Sequence, residues 1–354
     1  MSTSAYFRLV HTERNAVSHL DVARARYSRV LNDVGRLELE AYLPQIDVWA
    51  AFVGHAAIAM YFGGRCEDIW VVKDYERVRR GGLVRVYGEN LAYLLRDSQR
   101  KAPMGSTGSA NTAAKMSGDI GELMLRVSYV PASEPAAFEL DYALWRPTNY
   151  RAGFQTTVDY QWGSPASAMS FLSEISTALF GSRYRASWYV RGHTLESSRV
   201  AASLFFVHPH HVAVPLRMVD VSSVKVEHSN AAGIISGIGA GSGAERVVQT
   251  TVSPALTASR NRALARVEKA ISTAGSDSRA AMRAAVRRYT TERGGEVVLY
   301  PNARYFEWFE LGSFVTLPTY GGFFPSNVAL SGYVSQIDGE YEWGNVQHTI
   351  RLVG

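Results

Sequence analysis

The chain has 354 residues, 47% hydrophobic, 11% aromatic and 19% charged, which is enough apolar material to bury a core without cross-links and a length that suits about two domains or one large one. A single cysteine, Cys66, excludes intrachain disulfides and multi-cysteine zinc sites. The net charge of +5 is modest, but lysine supplies only Lys73, Lys101, Lys115, Lys225 and Lys269 of the 37 basic residues, and arginine the rest.

The guanidinium fork suits fixed ion pairs at interfaces and phosphate contacts. An arginine- and alanine-rich composition also follows from GC-rich coding, so the count alone names no nucleic-acid partner. At the start, Arg8 falls where the apolar core of an export signal would run, so none is read there. The longest apolar stretch, Val48–Phe62, carries His55 and is short for a bilayer span. It reads as a buried element, either one helix or two short strands around Gly54.

Short strands dominate the first hundred residues. Ala23, Ala25 and Tyr27 alternate with Arg24, Arg26 and Ser28. Beyond the turn residues Asn32-Asp33-Val34-Gly35, Leu37, Leu39 and Ala41 alternate with Arg36, Glu38 and Glu40. Alternation of period two on both sides of a turn predicts a half-buried hairpin. A second hairpin is expected from Ile69–Val78 and Leu83–Tyr87, with Gly88 ending the strand and Leu91, Leu94 and Leu95 on one face of a short helix.

Lys101–Gly118 is small, polar and turn-rich and reads as a mobile loop. Asp119 is a candidate N-cap for a helix toward Val127. The aromatic, proline-punctuated stretch Val130–Gly163 has little period. Met169, Leu172, Ile175 and Leu179 then predict a helix over Ser167–Phe180, stopped by Gly181.

In the second half, strands are expected at Tyr184–Val190, Ser203–Val207, Val219–Glu227 and Arg246–Val252. Helices are expected over Thr257–Ile271 and Asp277–Arg293. Strands at Glu296–Tyr300, Phe314–Leu317, Val328–Ile337 and Val346–Val353 close the chain, with Asp338-Gly339 as a turn. The fold class is α+β and strand-dominated.

The loudest local signal is the glycine run from Gly233 to Gly243. Gly239, Gly241 and Ala244 fit a loose dinucleotide fingerprint, which requires a helix immediately afterwards to meet the pyrophosphate. The β-branched run Val247–Val252 follows instead, so the run reads as a glycine turn between paired strands and no cofactor is expected. His208-Pro209-His210-His211 lacks a carboxylate at metal-ligand spacing and reads as a loop, so no metal is assigned. No nucleophile elbow, zincin pair or Walker sequence occurs, Cys66 has no histidine close in sequence, and the acid groups Glu307/Glu310 and Asp338/Glu340/Glu342 read as solvated. No catalytic residue is assigned.

Arg279, Arg283 and Arg287 recur at i, i+4 and i+8, on one face of the last helix and about a quarter turn from Met282, Val286 and Tyr289. That face either docks on an acidic partner or phosphate, or is an ordinary solvated flank.

The run Tyr27–Glu40, followed by Ile69–Leu95 with Gly88, Leu91, Leu94 and Leu95, resembles the N-terminal part of bacteriophage tail hub (tail-associated, baseplate hub) proteins. Ser229-Asn230-Ala231 with the following glycine run, the arginine-rich segment and Leu311-Gly312-Ser313-Phe314-Val315 resemble their later parts in the same order. Ser313 stands where that strand start often carries an acid.

The resemblance implies two β-barrel- or sandwich-like tube domains with flanking helices. The first spans about 1–183, with an inserted loop and helical segment near 101–180, and the second spans 184–354. It further implies a non-enzymatic homotrimer at the tail tip of a virion, assembled in the host cytoplasm. Such a hub meets a hexameric distal tail ring protein, the tape-measure protein and fibre or spike proteins, with DNA only in transit and no membrane-spanning segment. Subunit contacts are expected at Arg279, Arg283, Arg287, Gly237, Gly239 and Gly241. A different reading is a host cell-surface carbohydrate-binding module built on Trp145, Tyr150, Tyr160 and Trp162, and a third, a wall hydrolase, rests on the acid pairs alone.

Overall fold

The alternation of the first hundred residues folds as it reads. In the computed structural model the described residues are 5–11, 16–42, 56–77, 82–97, 114–128, 151–160, 164–180, 186–194, 200–207, 213–227, 234–238, 247–252, 268–272, 294–317 and 330–353. Strands β1 (Tyr6–His11), β2 (Ala16–Leu20), β3 (Val22–Val30), β4 (Arg36–Tyr42), β5 (Ala56–Phe62), β6 (Arg65–Arg77) and β7 (Leu83–Asn90) form an antiparallel run in the order β3-β4-β7-β6-β5-β1-β2.

Leu37, Leu39 and Ala41 of β4 point inward between the outward Arg36 and Glu38. All seven strands feed one cluster that includes Phe7, Leu20, Ala25, Leu39, Ile58, Trp70 and Val86. Only Asp21 separates β2 from β3, and its carbonyl accepts the Tyr42 amide at 3.2 Å. The sheet therefore curls around its own interior, although β2 and β3 are not paired and the described strands do not close into a barrel. Gly88 does not end β7. It lies inside the strand because a Cβ there would sit 3.1 Å from Trp70 Cβ and Val71 O on the neighbouring strand.

Next come α1 (Tyr93–Asp97), β8 (Ala114–Asp119), α2 (Ile120–Ser128), β9 (Gln155–Tyr160), α3 (Pro165–Phe180), β10 (Ser187–Thr194) and β11 (Val200–Val207). The expected loop over 101–118 is corrected at its end, where residues 114–118 pair with β9; residues 98–113 lie outside the described residues. Asp119 caps α2 as read: Oδ1 accepts the Gly121 and Ala152 amides at 2.8 and 2.6 Å, and Oδ2 accepts Phe154 at 2.7 Å. Leu123, Met124 and Val127 of α2 and Met169 and Leu172 of α3 cover the outward apolar face of β5 and β6 together with Trp188, Val190 and Ala202.

The remaining strands are β12 (Val214–Pro215), β13 (Val221–Glu227), β14 (Ile234–Ile238), β15 (Val248–Val252), β16 (Glu268–Ser272), β17 (Gly294–Leu299), β18 (Phe314–Leu317), β19 (Leu330–Glu342) and β20 (Asn345–Val353). Val221, Val297, Leu299, Tyr305, Val315, Val334, Ile337 and Ile350 build a second core from β13 and β17–β20. β19 pairs with β20 on one side and β3 on the other, so the two ends of the chain share one sheet in the order β13-β17-β20-β19-β3. The architecture is α+β and strand-dominated, with two curled-sheet cores and helices on the outside.

Two further local expectations fail. Residues 268–271 were placed in a helix; Glu268–Ser272 is instead a strand, held parallel to β14 by ladder bonds that outweigh its helical spacing. Asp338-Gly339 is not a turn but lies inside β19, and the chain reverses at Trp343-Gly344, where φ is 48° and 88°.

Gly339 is glycine because Tyr27 lies across it: an added Cβ would stand 2.1 Å from Tyr27 Cζ. Gly339→Ala is expected to destabilise by about 2–3 kcal/mol through overpacking, and Tyr27→Leu in the same chain to recover part of that in denaturant titration. Equal stability of Gly339→Ala and the parent would contradict this packing.

Candidate functional site

Where the two curled cores meet, the structure buries charge. Arg29 occupies an inward position of β3, in phase with Ala25 and Tyr27, and is 1% exposed. Its Nη1 donates to the Tyr305 hydroxyl at 3.0 Å and lies 3.5 Å from Glu67 Oε2, while Nη2 lies 2.8 Å from Glu310 Oε1. Tyr305 in turn donates to Glu67, and Arg65 pairs with Glu310. Arg191 of β10 stands 3.5 Å from the same carboxylate. Strands β3, β6 and β10 and the 305–310 segment are thus tied by one ionic network.

The two glutamates respond differently to the same arginine. Burial raises Glu67 above its ordinary range, offset in part by Arg29 and by the Tyr305 hydrogen bond. Burial also opposes ionisation of Glu310, but Arg29, Arg65 and Arg191 together outweigh it and hold it below the usual glutamate range.

Asp68, next to Glu67 where the β5–β6 register shifts, accepts the Ile69 and Gly192 amides at 2.8 and 2.6 Å and the Asn90 side chain at 3.1 Å. Burial pushes it up to about 6 against the pull of Arg29. Tyr27 and His348 Nε2 share a buried hydrogen bond of 2.7 Å, and burial, with Arg29 nearby, brings His348 down to about 3. Glu67 and Asp68 are sealed inside the protein and Glu310 is partly buried; Glu67 and Glu310 are committed to arginines and Asp68 to amides and Asn90. As placed, they fasten strands and do not face a substrate.

The outward face of the main sheet carries a second pattern. Lys225 on β13 pairs with Glu296 on β17 at 3.6 Å, and Glu296 with Arg351 on β20 at 3.6 Å. Arg351 reaches Asp338 on β19 at 3.2 Å, and Arg26 on β3 reaches Glu340 on β19 at 3.1 Å. Arg85 on β7 then joins Glu38 and Glu40 on β4 at 3.4 and 2.8 Å and Glu76 on β6 at 2.9 Å. Strand by strand the sign alternates across eight strands. An open groove of about 960 Å³ runs along this face. Exposed pairs contribute little each, typically under about 1 kcal/mol. Their chief effect is a polar surface whose charges are already neutralised by one another.

Of the residues singled out from the sequence, Gly237 lies in β14, buried, opposite Gln249 of β15 and Ile271 of β16. The first half of the glycine run is therefore not a turn but strand β14 itself, which pairs antiparallel with β15, and residues 239–246 lie outside the described residues. Gly239, Gly241, Arg279, Arg283 and Arg287 lie outside the described residues, as do His208–His211, Trp145, Tyr150 and Trp162; of Tyr160 only its backbone in β9 is described.

Glu310, read as solvated, is corrected to a partly buried member of the ion network, because three arginines converge on it. Arg29, Glu67 and Asp68 were not singled out. The signal for them was a charge on the apolar parity of β3 and two acids inside the run Cys66–Val72, whose strand is covered on both faces. Among the described residues no cluster of histidine, cysteine and acids is placed to hold a metal, and no helix is long and apolar enough to cross a membrane.

No family model matches the sequence, and no curated protein matches it. Solved structures do. A tail protein from Neisseria meningitidis MC58 superposes with a TM-score of 0.54 at 9% identity, over 99% of this chain and 97% of that one. The 43 kDa tail protein of prophage MuSo2 from Shewanella oneidensis gives 0.52 at 10% identity, over 99% and 96%. Identity this low shows the fold alone, and it is shown from end to end: the chain has the fold of phage tail proteins.

Proposed function

We propose that this chain is a structural protein of a phage virion, the hub at the distal tip of the tail, acting as a homotrimer and without catalysis. The observation that carries the reading is the pair of curled-sheet cores joined side by side within one chain, in a fold that matches tail proteins over nearly its full length. Three such subunits present six similar units, the number needed to meet a hexameric tail ring. On this reading the first tube-type unit lies within about 1–183 and the second within 184–354.

The hub continues or closes the tube, holds the end of the tape-measure protein and anchors fibre or spike proteins, and it is assembled in the host cytoplasm. The charge-alternating face suits a passage for DNA. Arg26, Arg85, Lys225 and Arg351 there each have an anion, which weakens the hold of the face on a polyanion in transit. The buried ion network suits a part that must keep its strands joined under load.

Subunit contact is assigned to the arginine face of Arg279, Arg283 and Arg287 and to the glycine run with Gly237, Gly239 and Gly241. Between Thr257 and Arg293 there are nine basic and three acidic residues, a net +6, so the rest of the chain carries a net −1 against which this segment can dock. Replacing the three arginines by glutamate is expected to abolish tail assembly while circular dichroism of the purified chain stays unchanged. Normal tails from that variant would remove the docking role.

A further inference from the structure

At the mouth of the first curled sheet the protein holds a tryptophan in water at a conformational cost. Trp343 is 68% exposed and forms, with Gly344, the tip of the β19–β20 hairpin, with φ of 48° and 88°. Two successive left-handed residues make the hairpin turn that asparagine-glycine satisfies best, and a bulky side chain at its first position is strained. Strain of this kind points toward function.

The tip is rigidly held. The Tyr341 ring beneath it meets Phe7 edge-on at 5.0 Å, and Asn302 bonds both the Asn345 side chain and the Val346 amide. Beside Trp343 opens a groove of about 510 Å³, within the usual size of a small-ligand site. Tyr42, 37% exposed, shares its wall, and His19 and Asp21, 3.5 Å apart with side chains two-thirds exposed, stand on its rim.

We propose that this groove binds a neutral sugar ring. A pyranose offers an apolar C–H face and an edge of hydroxyls. The indole of Trp343 and the ring of Tyr42 supply the flat apolar surface, and Asp21 and His19 supply hydrogen-bond partners for hydroxyls. Among the described residues Asp21 is the one carboxylate on the groove wall and no lysine or arginine accompanies it there, which disfavours anionic sugars. The site stands independently of the oligomeric state proposed above.

The test is Trp343→Asn, which removes the stacking surface and gives the turn its preferred residue. The full-length parent and variant are titrated with chitotriose, maltotriose and 3′-sialyllactose, following tryptophan fluorescence and heat. The parent is expected to show saturable binding of a neutral trisaccharide and weaker binding of the sialylated one. Trp343→Asn is expected to lose about tenfold or more in affinity while its thermal midpoint is unchanged or higher. No saturable response to either neutral sugar overturns the proposal, as does equal binding by parent and variant. Dissociation of the oligomer in Trp343→Asn without any sugar response in the parent also overturns it, and makes Trp343 a subunit anchor.

Discussion

Arg29→Met is expected to lower the free energy of unfolding by about 3–5 kcal/mol, the cost of leaving a buried carboxylate without its cation. Glu310 retains Arg65 and Arg191 in that variant, so the loss falls mainly on Glu67, which is 0% exposed and keeps the Tyr305 hydroxyl and the weaker pull of Arg65. Glu67 then takes up a proton more readily, and Arg29→Met should unfold more easily at high pH than at low pH relative to the parent.

The double variant Arg29→Met with Glu67→Gln removes cation and anion together and is expected to recover a substantial part of the loss. Denaturant titrations of the parent, both single variants and the double variant measure the coupling. A cost below about 1 kcal/mol for Arg29→Met would be the behaviour of a solvated pair and would contradict the sealed network described here.

Acid sensitivity is the second large effect. His348 shares its hydrogen bond with Tyr27 as a neutral ring and is fully buried, with its pKa brought down to about 3. The unfolded chain binds that proton from pH 6.5 downward while the folded one refuses it. Stability is therefore lost progressively as pH falls from about 6.5 toward 3, by up to roughly 5 kcal/mol for the whole shift.

Asp68 acts in the opposite sense. Its pKa is raised to about 6, so the folded state accepts a proton earlier than the unfolded one, and stability rises as pH falls from about 6 to 4. That gain partly offsets the histidine loss. His348→Gln keeps an acceptor for Tyr27 and removes the titration. Its stability between pH 6.5 and 3 should fall less than the parent's, and in that window the Asp68 gain should emerge. A parallel acid profile for His348→Gln and the parent would contradict the assignment.

What was legible in the sequence follows from period and parity. Strands β3, β4 and β7 stand where alternating residues put them, because each has one face in a core and so repeats with period two, whereas β6 is an apolar run covered on both faces. The helix over residues 165–180 and the cap at Asp119 were equally plain. The failures have physical causes. Gly88 and Gly339 look like strand breakers by residue type, yet each is a glycine because another side chain lies against it, a fact of tertiary packing.

Residues 268–272 carry helical spacing and are taken into a sheet by a parallel neighbour 30 or so positions earlier in the chain. The ion network was half legible: Arg29 breaks the apolar parity of β3, but its partners come from residues 65–67, 191 and 305–310, and nothing local announces that convergence. The groove beside Trp343 was hidden for the same reason, since β1, β2, β4 and the β19–β20 tip meet only in the folded chain.

The central claim is that three copies of this chain form a ring at the tail tip. The most direct measurement is the copy number, symmetry and position of the chain in purified tails, by averaged electron micrographs of particles carrying a tagged chain and by quantitative mass of the isolated ring. The account predicts one threefold ring at the distal end, of about three times 39.0 kDa. Copies repeated along the length of the tube, a sixfold ring, or tails that contain none of the chain would contradict it.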